Sequence, residues 1–173
     1  MLDSSVVTKS IEKHLSQSAG NPIIFCGDAS IASKVSDSHD VTYVDSSMEA
    51  LKEVQSQYSG IRKTAKADVL DYIYFNASSS LVIFSEVSAG WHHSFQMEKL
   101  ITAIERNRYK LVVLEFLDEE ATALSSGSGI KLSTFNKKQL LSSLGCRLRR
   151  YSVELQPSLS SEDTSFTLVI RKK

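Results

Sequence analysis

Val41-Thr42-Tyr43-Val44-Asp45-Ser46-Ser47-Met48-Glu49-Ala50-Leu51 reads as a strand, a turn and the start of a helix. Four residues rich in β-branched and aromatic side chains favour a pleated conformation. Asp45-Ser46-Ser47 breaks the run with residues whose side chains compete for backbone N–H groups. Ser46 and Glu49 have the spacing of a capping box, which predicts a helix over Met48 to Tyr58 with Met48, Leu51 and Val54 on one face. Gly60 then stands where a C-cap belongs.

The same unit repeats on both sides. Upstream, Val6, Val7, Ile11 and Leu15 recur at helical spacing over residues 4–17, and Gly20-Asn21-Pro22 ends that helix. Pro22-Ile23-Ile24-Phe25-Cys26 is a short continuous apolar run, the pattern of a strand covered on both faces. Gly27-Asp28 closes it, and Ala29 to Val35 reads as a short helix. Downstream, Ile61 to Ala65 is a weak strand ending near Asp68, and Val69 to Phe75 is a short helix or turn. Leu81 to Phe84 is a clear strand ending at Ser85-Glu86. A helix capped near Ser94 runs to Asn107, and a fifth strand covers Tyr109 to Leu117. Residues 118–133 are rich in Ser and Gly and read as a loop, with Ser126 to Gly129 supplying its flexibility. Asn136 to Leu144 reads as a helix that Gly145 terminates. Cys146 to Leu155 and Ser165 to Arg171 are two final strands, joined by an exposed turn.

Strands alternating with helices predict a Rossmann-like, doubly wound α/β fold. Its sheet is seven-stranded and mostly parallel, with a C-terminal antiparallel hairpin. The 173 residues fit one domain, 1–173, with residues 1–20 as an N-terminal helix packed on it.

Composition narrows the function classes. Twenty Lys+Arg balance 20 Asp+Glu, so net charge gives no indication of nucleic-acid binding. Arg147, Arg149 and Arg150 form the densest basic cluster and read as a solvated strand edge guarded against aggregation. Cys26 and Cys146 lie in apolar contexts. They fit buried, reduced thiols in the cytoplasm and are too few for a cysteine-based zinc site. The N-terminus lacks the apolar core of a signal peptide, and no run approaches the ~20 residues that span a membrane. His14 and His39 read as surface residues.

In an open α/β sheet, ligands bind outside the carboxyl ends of the strands. That rule picks out Gly27-Asp28, Asp45, Asp68 and Glu86. Each also fits a local role: Asp45 a turn or N-cap, Asp68 a solvated turn acid, Glu86 a polar strand terminus. Gly90-Trp91-His92-His93 is the most unusual string. Histidine titrates near neutral pH and serves as a general base, and tryptophan can stack on a planar substrate. The structural alternative has Trp91 covering the core edge and the histidines starting a helix. No metal site is expected, because adjacent helical histidines diverge by about 100° and no acid-rich set accompanies them.

The order of elements and the string from Val41 to Leu51 resemble a small class I S-adenosylmethionine-dependent methyltransferase. The likeness runs from about residue 4 to the end. It implies that Asp45 binds the two ribose hydroxyls of the cofactor, with Ser46 beside it. It implies that Asp68, followed by Val69, meets the adenine amino group. Gly27, Asp28 and Ala29 then stand for the cofactor loop, Glu86, His92 and His93 for the catalytic groups, and Trp91 for a substrate contact. The stretch Phe25-Cys26-Gly27-Asp28-Ala29-Ser30-Ile31-Ala32 departs from the family pattern. It has one glycine where several are usual, and an apolar residue in place of the acid that ends strand one.

The function implied is methyl transfer to a small molecule or a partner-presented substrate. The depleted loop motivates an alternative, a non-catalytic methyltransferase-like domain that binds a partner protein. A third reading is another doubly wound binder, of a nucleotide or flavin.

Overall fold

Ile23 to Cys26 of the apolar run at the first strand are buried while Pro22 is exposed, and strand alternation explains why the run has no polar gap. In β1 (Pro22–Cys26), Ile24 and Cys26 enter one core cluster while Ile23 and Phe25 enter another on the opposite face. The computed structural model describes residues 4–16, 21–84, 87, 95–117, 136–159 and 165–173. Glu86, Trp91, His92, His93, Ser94 and the loop over 118–133 lie outside the described residues.

The described elements follow in the order α1 (Ser4–Leu15), β1, α2 (Ala29–Val35), β2 (Asp40–Asp45), α3 (Met48–Gln57), β3 (Lys63–Lys66), α4 (Val69–Phe75), β4 (Ser80–Ile83), α5 (Phe95–Asn107), β5 (Leu111–Leu117), α6 (Lys137–Arg147), β6 (Tyr151–Pro157) and β7 (Ser165–Lys172). All seven strands form one sheet in the order β3-β2-β1-β4-β5-β7-β6. The first five are parallel. β7 is antiparallel to both β5 and β6, so the C-terminal hairpin closes one side of the sheet. Strand order reverses between β1 and β4, which creates the crevice at the carboxyl ends.

Ile11, Leu15, Ile31, Val35, Leu51 and Val54 cover one face of the sheet from α1, α2 and α3. Residues of α4, α5 and α6, including Ile73, Leu100, Ile104 and Leu144, cover the other. The inner strands β4 and β5 contribute alternate residues to both faces, as β1 does. The edges differ: β3 is Lys63-Thr64-Ala65-Lys66, and β6 exposes Glu154 and Leu155. Charged edges discourage pairing with a second chain.

Several expectations need correction. The helix expected to stop at Gly145 continues to Arg147, so β6 begins at Tyr151 and Cys146 is an exposed helical thiol. A Cβ on Gly145 would meet nothing within 4 Å. Gly145→Ala is therefore expected to raise stability by about 0.5–1 kcal/mol in urea unfolding, through lower entropy of the unfolded chain. The cap of α3 is Ser47, whose Oγ accepts from the Ala50 amide at 3.2 Å, and Ser46 is exposed. That helix ends at Gln57 with Tyr58 as its cap, so Gly60 plays no capping part, and Met48 is 44% exposed.

His14 and His39 are buried, at 8% exposure each. His14 Nδ1 lies 2.9 Å from Arg171 Nη2. Burial first, then the Arg171 and Lys13 charges, hold His14 below the ordinary value of 6.5, against weaker upward effects of Gln156 and Glu154. The unfolded chain thus takes up this proton first as pH falls. Stability is full above pH 6.5 and declines as pH drops from there toward the lowered folded value. His14→Gln is expected to flatten that decline in urea midpoints measured between about pH 7 and pH 5.

Candidate active-site crevice

Three consecutive parallel strands are each followed closely by an aspartate, and each aspartate organises the turn that follows. Asp28 Oδ1 accepts from the Ser30 amide at 2.8 Å, the Ile31 amide at 3.3 Å and Ser30 Oγ at 2.6 Å, capping α2. Asp45 Oδ1 accepts from the Ser47 amide at 2.7 Å. Asp68 Oδ1 accepts from the Leu70 and Asp71 amides at 3.0 and 3.1 Å, capping α4. In all three, Oδ2 has no hydrogen bond to another described residue. The structural and ligand-facing readings of these acids are compatible: one oxygen fixes the turn and the other remains.

Cys26 is fully buried at the end of β1, on the face of the sheet opposite Tyr43. Burial first, then the Asp45 and Asp68 carboxylates, push its thiol well above the usual range. The thiol is therefore protonated and a poor nucleophile. The Ala67 amide donates to the Asp45 carbonyl at 3.1 Å, which sets Asp45 and Asp68 at the same end of the adjacent strands β2 and β3.

Gly27 makes the turn at φ +124°, a conformation that L side chains rarely adopt. Tyr43 donates its hydroxyl to the Gly27 carbonyl at 2.5 Å. The Phe84 amide donates to the Cys26 carbonyl at 3.1 Å, which brings the Phe84 side chain under Gly27. The rings of Phe25 and Tyr43 are 6.5 Å apart, and those of Phe25 and Phe84 are 5.5 Å apart. Three adjacent strands, β2, β1 and β4, thus supply an aromatic floor beneath the turn. Ala29 is half-buried at the first position of α2, and Val69 is buried at the first position of α4.

The sheet order with its antiparallel seventh strand has close counterparts among solved structures. The methyltransferase domain of bacterial CtHen1 superimposes with a TM-score of 0.73 over 99% of this chain and 100% of its own, at 16% identity. An S-adenosylmethionine-dependent methyltransferase from Clostridium acetobutylicum gives 0.77 over 99% of this chain and 92% of its own, at 10% identity. The chain has the class I methyltransferase fold. It matches the small RNA methyltransferase HEN1 with a TM-score of 0.70 and 16% identity, spanning 25% of that protein. No family model and no curated protein matches the sequence.

The three aspartates stand at the carboxyl ends of the strands, where open α/β sheets place their ligand crevice. The donor set suits the cofactor at two points. A vicinal diol needs acceptors, and Asp45 offers an anchored carboxylate with a spare oxygen. A sulfonium cation is favoured beside carboxylates. The first turn differs from an anion-binding loop. Asp28 occupies the N-terminus of α2, so the amides that would greet an anion there already have a partner.

Sequence reasoning singled out the three acids and Gly27. Cys26 is legible as a buried thiol, while Tyr43 and Phe84, which set the geometry beneath the turn, have no part in the predicted site. Only Tyr43 left a usable signal, because it precedes Asp45 by two and shares its face of β2.

Proposed function

We propose that this chain is an S-adenosylmethionine-dependent methyltransferase, acting on a small molecule or a substrate presented by a partner. The observation that carries the reading is the set of spare carboxylate oxygens at the ends of β1, β2 and β3, beside the reversal of strand order between β1 and β4. Asp45, with Ser46 beside it, takes the ribose hydroxyls. Asp68 accepts from the adenine amino group, with Val69 below the ring. Gly27 and Ala29 let the backbone approach the amino-acid end. Asp28, already paired with the α2 amides, favours the ammonium of that end over its carboxylate.

Bound S-adenosylmethionine supplies an activated methyl group, which passes to the acceptor and leaves a neutral thioether. The chain's own share is to hold the two reactants in line and to take the acceptor's proton where it has one. Glu86, His92 and His93 are the groups proposed for that proton, and Trp91 for stacking on the acceptor. Neighbours of this fold are named for small RNA and for glycopeptide methylation, so the fold leaves the acceptor class open. We read 1–173 as one domain working in the reducing cytoplasm, in keeping with free thiols at Cys26 and Cys146.

Calorimetric titration of the full chain with S-adenosylmethionine and S-adenosylhomocysteine tests the reading. Saturable heat with both is expected. No heat with either would overturn it in favour of a non-catalytic interaction domain.

A further inference from the structure

The chain's neutral balance conceals a segregation of charge. Residues 106–110, 147–150 and 171–173 contain nine of the 20 Lys+Arg and no Asp or Glu. The fold brings these three segments together. Leu111 pairs with Arg171 and Tyr151 with Lys172, while the Lys172 and Lys173 amides donate to the Lys110 and Arg150 carbonyls at 2.9 Å each. They meet where β5 begins, so this basic end lies across the sheet from the carboxyl-end crevice with its aspartates.

Some of these cations are used within the fold. Arg147 pairs with Glu98, and Arg171 contacts His14. Arg108, Lys110, Arg149, Arg150 and Lys172 are exposed, and their side chains make no bond to another described residue. Four of these five line a cleft of about 410 Å³ together with Tyr151, and Glu105 is its one acid. Arg108 adopts φ +55°, where glycine would be more comfortable, so a cation stands at a costly backbone position.

Aromatic groups pack on Arg106, which stands in the chain between the cleft residues Glu105 and Arg108. Arg106 covers the Tyr74 ring at 4.6 Å from its centroid, and Tyr74 meets Phe75 edge to face at 5.0 Å. Phe75 is 73% exposed. Asn107 and Tyr109 tie this corner down, both donating to the Ile73 carbonyl, so the aromatic pair and the cations belong to one rigid surface.

We propose that this surface binds single-stranded nucleic acid, with the arginines on the phosphates and Phe75 stacking a base. Guanidinium groups match phosphate oxygens two at a time, and exposed rings accept any base face. One exposed ring near a cationic cleft favours a strand over a membrane surface, which needs a continuous apolar face to insert. The inference does not depend on methyl transfer, and its readout is binding alone.

The test is fluorescence anisotropy of the full chain with a labelled 20-nucleotide oligouridine. Contact with three or four phosphates predicts a slope of about −2 to −3 in log affinity against log salt. Arg149→Glu/Arg150→Glu is expected to weaken binding at least tenfold. Phe75→Ala is expected to weaken it by about fivefold or more, the loss of one stacked base. All three side chains are exposed, so circular dichroism should be unchanged. If the double variant does not fold, the salt slope and Phe75→Ala decide the matter. Absence of binding at low salt, or variants that bind like the parent, would overturn the proposal. So would preference for phosphatidylserine vesicles, or equal binding of duplex RNA unaffected by Phe75→Ala.

Discussion

Replacing Gly27 by alanine is expected to destabilise the fold by about 2–4 kcal/mol and to remove cofactor binding with it. Two costs combine. The backbone at φ +124° is unfavourable for any L side chain, and holding it there costs about 1–2 kcal/mol. A Cβ would also lie 2.5 Å from Phe84 Cβ. That atom is the root of a buried ring packed on Phe25, so it cannot swing aside as a flexible tip would. Overpacking of this kind typically costs about 1–3 kcal/mol. The two costs separate in a double-mutant cycle. Phe84→Gly, which removes both the ring and the Cβ, should cost about 4–5 kcal/mol alone as a cavity and a freed backbone. In the Gly27→Ala/Phe84→Gly chain the clash is gone and the backbone strain remains. The pair should therefore lose less than the sum of the singles by about 1–2 kcal/mol in urea unfolding. Strict additivity would show that Phe84 does not press on this turn.

The crowding at Gly27 also explains how much of the crevice the sequence discloses. The fold is legible because the strands cannot disguise themselves. Ile23 to Cys26 has no polar residue, and only a strand buried on both faces needs such a run. Asp28 and Asp45 are legible because each follows an apolar run, whereas Asp68 follows the weak, Lys-bearing strand β3. What escapes reading depends on partners distant in the chain. Phe84 looks like the last residue of a strand, and only parallel pairing of β4 with β1 puts it under Gly27. His14 sits beside Leu15 on an amphipathic helix, and only the arrival of Arg171 from the last strand encloses it. Ser46 has the capping-box spacing with Glu49, yet the Asp45 carboxylate takes the Ser47 amide and moves the cap one residue on. Gly145 marks a helix end by composition, but Leu144 and Leu148 are both buried, and that packing draws the helix past it to Arg147. In each case a tertiary contact outweighs a local preference worth about 1 kcal/mol or less.

Asp45 divides the ligand-binding and structural readings of the crevice most cleanly, since its two oxygens do separable work. Oδ1 holds the Ser47 amide, and Oδ2 has no partner among the described residues. Asp45→Ala removes both. The structural loss is one turn hydrogen bond at a half-buried site, about 1 kcal/mol, which shifts the melting temperature by a few degrees. The functional loss is larger if the carboxylate receives both hydroxyls of a ribose. Two hydrogen bonds to a charged acceptor contribute about 1.5–3 kcal/mol each, so affinity for S-adenosylhomocysteine should fall about 100-fold or more. Asp45→Asn preserves the oxygen that serves Ser47 and loses the charge. It should melt close to the parent, yet bind about tenfold more weakly, because the diol then meets one neutral group in place of a carboxylate. A structural acid would give another pattern, with Ala reducing stability, Asn restoring it, and affinity following the folded fraction in both. Calorimetry at a temperature where all three proteins are folded removes that last dependence. Unchanged affinity in Asp45→Ala under those conditions would sink the ribose assignment while leaving methyl transfer itself to be decided by the titration of the parent chain.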